Sequence, residues 1–339
     1  MGRIVAITNL KGGIGKTTTV VNLSAGLALK GAQVLLVDVD AQGNLAMALG
    51  LKPRRTLYDV LVDGKRPEDC LVNARPNLDL LAANESLLTA QPELARRPDW
   101  ARVLEQALRP VRSKYDFILI DCGGSLTVLN LNALTAASDV VVPTTVEPFS
   151  IKGLEMLVKQ IIQLKGSTSS LRAIVPTMYD PRTRQSVALL EQLQAQYGAQ
   201  VTPPIRVNVR LSESSAQGKT IYEFDPRSRG ARDYAVLVET LSTLWNFKPP
   251  AAPVSAPSPN GAQAPVASPE VHPLTPAPLR SAASASTPAP VVAGAGNILS
   301  STCPICGGPL QRATVAGYRV AYCDHCRYRQ QELVSGPRR

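Results

Sequence analysis

The sequence predicts an α/β fold: a mostly parallel sheet covered by helices on both faces. Three observations carry this reading. Short apolar runs recur along residues 1–247, as in strands buried on both sides. Segments with apolar residues at helical spacing lie between several of them. A glycine-rich loop joins the first run to the first helical segment, and ligands of such sheets bind at the carboxyl ends of strands.

In chain order, Ile4–Thr8 is a short β-branched run and reads as the first strand. Thr17–Lys30 has helical spacing, and Gly31 supplies its stop. Val34–Asp38 is the next strand, followed by Leu78–Ala82, Phe117–Ile120, Val140–Val142 and Ala173–Val175. Helical patterns cover Ile151–Leu164 and Ser186–Tyr197.

Composition divides the 339 residues into three regions. Residues 1–247 hold the alternating pattern, and with 45% hydrophobic residues the chain can build a packed core. Residues 248–298 read as a Pro/Ala/Ser-rich disordered linker: 12 of the 28 prolines fall in 249–298, with one Arg and one Glu. Its length spans on the order of 40 Å as a flexible coil. Residues 299–339 carry four of the six cysteines and form a separate small module. The formal charge is 36 − 26 = +10, of which the tail's six arginines and two acids supply +4. Aromatics are only 4%, too few for base-stacking platforms to dominate. No window reaches ~18 apolar residues and no signal-peptide pattern opens the chain, so a cytoplasmic protein with reduced or metal-bound cysteines is expected.

The loop itself is KGGIGKTT, Lys11–Thr18. Its small residues let the backbone wrap a phosphate, and the helix that follows adds its positive end. Lys16 is placed to reach the β- and γ-phosphates of a nucleotide, and the Thr17 hydroxyl to ligate Mg²⁺. The common pattern has glycine six residues before this lysine. Leu10 stands there instead, and Lys11 is a second lysine at the loop mouth.

KGGIGKT resembles the deviant Walker A box of the ParA/MinD class of P-loop ATPases. The likeness to ParA/Soj-type partition ATPases continues through DFILIDCGGSL, VVPTTVEPFSIKGLEML, TMYDPRTRQS, VRLSES and DPRSRGARDY, covering almost all of residues 1–247. It implies a P-loop NTPase fold that binds ATP and Mg²⁺ through Lys11, Gly12, Gly13, Ile14, Gly15, Lys16, Thr17 and Thr18. Asp121, ending the run FILI, matches the Walker B carboxylate that holds the metal. Asp40 matches the residue that positions the attacking water, and Asp38 is expected to support the loop threonine or the metal shell. Lys11 matches a signature lysine that crosses an ATP-sandwich homodimer to the partner's nucleotide. Met178 and Asn208 match positions near the adenine. The segment DCGGSL departs from the more usual DCPPSL, placing Gly123 and Gly124 where prolines are common.

The resemblance also implies nonspecific binding of double-stranded DNA by the ATP-bound dimer, through arginines on one face. Arg182 and Arg210 match such positions, and Arg227 and Arg229 are candidates beside them. The expected partner is a ParB-like protein, the expected location the nucleoid, and the expected role chromosome or plasmid partition. A MinD-like membrane reading needs a C-terminal amphipathic helix, whereas Pro249 and Pro250 follow Phe247 almost at once, so no stable membrane association is expected. With ten residues before Lys11, no helix-turn-helix is expected ahead of the loop.

Cys303, Cys306, Cys323 and Cys326 form CxxC–x16–CxxC, the pattern of four thiolates around structural Zn²⁺, and the flanking residues resemble zinc ribbons. His325 is not expected to be a ligand. The ribbon suggests an alternative role in which the ATPase positions another cargo recruited through it. Cys122 sits where the related nitrogenase iron protein carries CGG, but that protein's second cysteine motif has no match. Cys122 and Cys70 are expected to be ordinary buried residues.

Overall fold

The computed structural model describes residues 2–125, 127–249, 302–303, 306–315, 318–323, 325 and 329–333. The linker expected at 248–298 lies outside these residues from 250 onward, as does Cys326. The chain divides into two units, Met1–Ser258 and Pro259–Arg339.

The strands of the first unit are β1 (Arg3–Ile7), β2 (Val34–Asp38), β3 (Val72–Arg75), β4 (Leu78–Leu81), β5 (Phe117–Asp121), β6 (Asp139–Thr145) and β7 (Leu171–Thr177). Its helices are α1 (Lys16–Leu29), α2 (Asn44–Ala48), α3 (Leu57–Leu61), α4 (Leu87–Ala95), α5 (Val103–Leu108), α6 (Val128–Ala136), α7 (Pro148–Lys165), α8 (Arg184–Tyr197), α9 (Val209–Ala216), α10 (Ile221–Phe224) and α11 (Arg229–Leu244). The sheet order is β3-β4-β2-β5-β1-β6-β7. All neighbours are parallel except β3, which pairs antiparallel to β4 at the edge.

Alternation along the central strands explains the two covered faces. Ile4 and Ala6 of β1, Leu35 and Val37 of β2, and Ile118 and Ile120 of β5 share one core with Leu87, Leu104, Leu129 and Leu154 from α4–α7. The residues between them, Val5 and Ile7, Val34 and Leu36, Phe117 and Leu119, pack with Val20 and Leu27 of α1 and Leu237 and Leu241 of α11. Successive side chains of a strand point to opposite faces, so a continuous apolar run needs a helix layer on each side.

All six expected strands form: β2 with the expected ends, β1, β4 and β5 with ends moved by one residue, and β6 and β7 four residues longer. The expected helices form as α1, α7 and α8. α7 begins earlier than expected because Pro148 occupies its first turn, where a missing N–H costs nothing, and it ends at Gly166 in the left-handed conformation (φ 77°). The edge strand β3 was not expected: only Ala74 of its four residues is buried, so it lacks the apolar run.

In the second unit, β8 (Gln311–Val315), β9 (Tyr318–Tyr322) and β10 (Arg329–Leu333) form an antiparallel sheet in the order β10-β9-β8.

Candidate functional site

The glycine loop leaves the carboxyl end of β1, between β5 and β6, and turns into α1. Gly13 (φ 71°) and Gly15 (φ 88°) adopt left-handed backbone that side chains disfavour. Gly15 is also the N-cap of α1 and brings no side-chain cap, so the first N–H groups of the helix stay available to an anion. Two distant contacts and one local one hold the loop. Thr177 Oγ1 donates to the Ile14 carbonyl (2.8 Å), Asn9 Nδ2 donates to Pro143 O (2.8 Å), and Asn9 Oδ1 accepts from Lys11 N (3.2 Å). The side chain of Ile14 is buried, so this residue serves the loop through its backbone. Gly12, Gly13, Gly15, Lys16, Thr17 and Thr18 border a groove of about 1370 Å³.

Lys16 curls over the loop, its Nζ donating to Lys11 O (2.8 Å). Burial lowers its pKa, while nearby Asp121, Cys122 and Asp40 act in the opposite sense. Asp38 and Asp121 are register partners on β2 and β5, which puts both carboxylates at one end of the sheet. Burial raises both well above the usual carboxylate range; for Asp38 the Asp121 charge adds to this, and for Asp121 the Thr17 hydrogen bond opposes it. Asp121 Oδ2 accepts from Thr17 Oγ1 (2.7 Å), whereas Asp121 Oδ1 is buried without a hydrogen-bond partner among the described residues. An orphaned carboxylate oxygen beside a threonine hydroxyl, with Asp40 close by, fits an oxygen-liganded divalent cation such as Mg²⁺.

Asp38 does not meet the loop threonine. Its Oδ1 accepts from Asp40 N (3.0 Å) and its Oδ2 from Leu45 N (3.1 Å), so it ties down the turn after β2. The loop threonine belongs to Asp121. Asp40 itself borders the groove, and its Oδ1 accepts from Gln42 N (3.0 Å).

Lys11 turns away from this groove. Its Nζ donates to Glu147 Oε2 (2.6 Å), Ser150 Oγ (3.2 Å) and Thr145 Oγ1 (3.5 Å), and its side chain is 41% exposed. Those partners end β6 and open α7. No local pattern around Lys11 singles them out.

The remaining expected residues divide. Met178 borders the groove in left-handed backbone (φ 51°), half-exposed. Asn208 does not accompany it: its Oδ1 accepts from Arg210 N (2.9 Å) and so caps α9. The α9 residues that border the groove are Ser215 and Ala216, which carried no sequence signal. Arg206, beside Asn208, pairs with Asp233. Arg182, Arg210, Arg227 and Arg229 stand within two residues of the N-caps of α8, α9 and α11, where helix dipoles favour anions. Arg182 is paired with Asp180 (2.7 Å); Arg210 is paired with Glu213 (2.9 Å) and lies over the Phe224 ring. Arg227 and Arg229 are exposed. Cys70 and Cys122 are buried, as expected.

In the second unit, the sulfur atoms of Cys303, Cys306 and Cys323 all lie within 4.8 Å of one another, with Cys306 and Cys323 Sγ 3.5 Å apart. Sulfur ligands about 2.3 Å from a tetrahedral zinc stand roughly 3.8 Å apart, so the cluster fits that geometry. Gly307 (φ 71°) makes the turn, with Cys303 N donating to Gly308 O (2.7 Å) and Gly307 N to Cys303 O (2.9 Å). His325 is exposed, and its Nδ1 lies near the open side of Gly308.

The AAA_31 family model, described as an AAA domain, matches residues 2–173. The chain is 40% identical over 250 residues to the sporulation initiation inhibitor protein Soj of Bacillus subtilis, covering 71% of this chain and 99% of that protein. It is 38% identical over 249 residues to the chromosome partitioning protein ParA of Caulobacter vibrioides, covering 70% and 93%. Among solved structures, cobyrinic acid a,c-diamide synthase from Mycobacterium smegmatis with bound ADP and magnesium superposes with a TM-score of 0.63 at 33% identity, covering 73% of this chain and 96% of that one.

Proposed function

The chain belongs to the ParA/Soj family of partitioning P-loop ATPases, and from that premise we propose that it works as a nucleotide-gated switch. ATP closes two copies face to face, the closed dimer holds double-stranded DNA without sequence preference, and hydrolysis opens it again. The direction of Lys11 supports this reading most. A lysine turned out of its own loop and held at the exposed start of α7 by a solvent-screened ion pair can be released to a second copy. In the closed dimer it contacts the partner's nucleotide like an arginine finger, a device worth ~10³–10⁵ in rate.

Within one subunit, Lys16 and the loop N–H groups bind the β- and γ-phosphates. Asp121 and Thr17 hold Mg²⁺, which when bound neutralises charge on the phosphate oxygens. Asp40 orients the attacking water. Arg182, Arg210, Arg227 and Arg229 neutralise DNA phosphates, which makes affinity fall steeply with salt. A ParB-like protein stimulates turnover, and the cycle serves chromosome or plasmid partition on the nucleoid. No helix among the described residues is long and apolar enough to cross a membrane.

Cys303, Cys306 and Cys323, with Cys326, hold one structural zinc. In the second reading of its role, that module recruits another cargo for the ATPase to position. Deleting 249–339 separates the two: a partition ATPase keeps its nucleotide and DNA cycle without the tail. The central test is Lys11→Ala. With ATP and Mg²⁺, the wild type sediments as a dimer and turns over, while the variant stays monomeric or inert. A fully active variant removes the switch. Separately, Arg210→Ala binding nonspecific duplex normally at low salt takes Arg210 out of the DNA face.

A further inference from the structure

We propose that Asn130 is a positioning residue for hydrolysis, clamping Gly123 against Asp40. Asn130 is the third residue of α6 and is 3% exposed. Both ends of its carboxamide engage the backbone of one residue: Gly123 N donates to Asn130 Oδ1 (3.1 Å), and Asn130 Nδ2 donates to Gly123 O (3.0 Å). Nδ2 also donates to Ser125 O. This two-bond exchange is that of a hydrogen-bonded pair in an antiparallel ladder, made here by a side chain. The backbone N–H of Asn130 donates to Thr127 Oγ1 (3.1 Å), which fixes the clamp to the start of α6. A buried amide with its donor and acceptor groups satisfied holds its partners in one geometry.

The clamped segment lies on the reacting groups. A Cβ on Gly123 would stand 3.3 Å from Cγ and Oδ2 of Asp40. A Cβ on Gly124 would stand 3.3 Å from Gly12 N and 3.6 Å from Lys16 Nζ. The Asp40 carboxylate therefore accepts from the Gln42 N–H and lies beside the Gly123 backbone, with room there for no more than a hydrogen. Proline at position 123 would have no N–H to give Asn130, so the clamp depends on the departure from the more usual proline pair. Two glycines leave the backbone free, and Asn130 supplies the restraint that two proline rings would supply by themselves.

The inference rests on the reading of Asp40 as the water-orienting group. The test compares Asn130→Ala, Gly123→Ala and Asp40→Ala in the full chain, with ATP affinity, KM, kcat and thermal melting recorded for each. For Asn130→Ala, kcat is expected to fall tenfold or more while KM and ATP affinity change less than threefold. Gly123→Ala, which presses a methyl group on the Asp40 carboxylate, is expected to show the same split with an unchanged melting profile. A folded Asn130→Ala protein with kcat within twofold of wild type overturns the inference. If that variant does not fold, Gly123→Ala decides, and unchanged turnover there overturns it equally. Wild-type turnover in Asp40→Ala instead removes the reading of Asp40, a different result from failure of the clamp.

Discussion

Glu147→Gln is expected to tighten the ATP-dependent dimer. Lys11 Nζ sits 2.6 Å from Glu147 Oε2, and it must leave this carboxylate before it can reach a partner's nucleotide. The two side chains are 41% and 57% exposed, so the pair belongs with solvent-screened ion pairs worth ~0.2–1 kcal/mol. Glutamine keeps a hydrogen-bond acceptor and removes the charge. Two subunits release two lysines, so the total is about 0.4–2 kcal/mol. At about 1.4 kcal/mol per decade this is roughly a 2- to 30-fold lower dimer Kd. Sedimentation equilibrium with a non-hydrolysable ATP analogue and Mg²⁺ measures it directly. The gap between variant and wild type should shrink at about 1 M salt, where the Debye length falls to about 3 Å. An unchanged or weaker dimer refutes the idea that Glu147 holds Lys11 back.

Three other outcomes are expected. Leu119→Ala, at a fully buried position on β5, should destabilise the first unit by ~2–5 kcal/mol in urea titrations. Asp139 is buried between Arg3 (2.7 Å) and Arg172 (2.5 Å). Burial raises its carboxyl, but hydrogen bonds from Arg3, Arg172 and Ser138 outweigh this and hold it below the usual range. Its contribution is therefore complete above the unfolded carboxylate range and is lost as pH falls through the lower folded value. Asp139→Asn should cost ~1–3 kcal/mol at pH 7, and the difference from wild type should close in acid; stability curves that stay parallel down to acid pH contradict this. Metal analysis of the full chain should find one zinc per molecule, lost in Cys323→Ser; a variant that keeps its zinc removes Cys323 from the site.

The sequence exposed the parts of the fold that depend on neighbours along the chain. Val34–Asp38 was legible to the residue because a run buried on both faces has no polar position to blur its ends. The edge strand Val72–Arg75 was not, because one covered face leaves only Ala74 buried. The glycine loop was legible because positive-φ backbone and a helix start need particular residues at fixed spacing. That Asn208 caps α9 was not legible, because capping depends on the turn that follows, and here that turn takes its side-chain oxygen.

Composition, apolar period and the loop motif by themselves determined the layered architecture, the family likeness and the end of the sheet where chemistry gathers. Tertiary structure alone decided which carboxylate takes the Thr17 hydroxyl, where the Lys11 amine rests and what Asn130 holds. Asp121 meets Thr17 across 104 positions and Glu147 meets Lys11 across 136. The strand order β2-β5-β1-β6 brings these segments side by side, and nothing local to either partner encodes that adjacency.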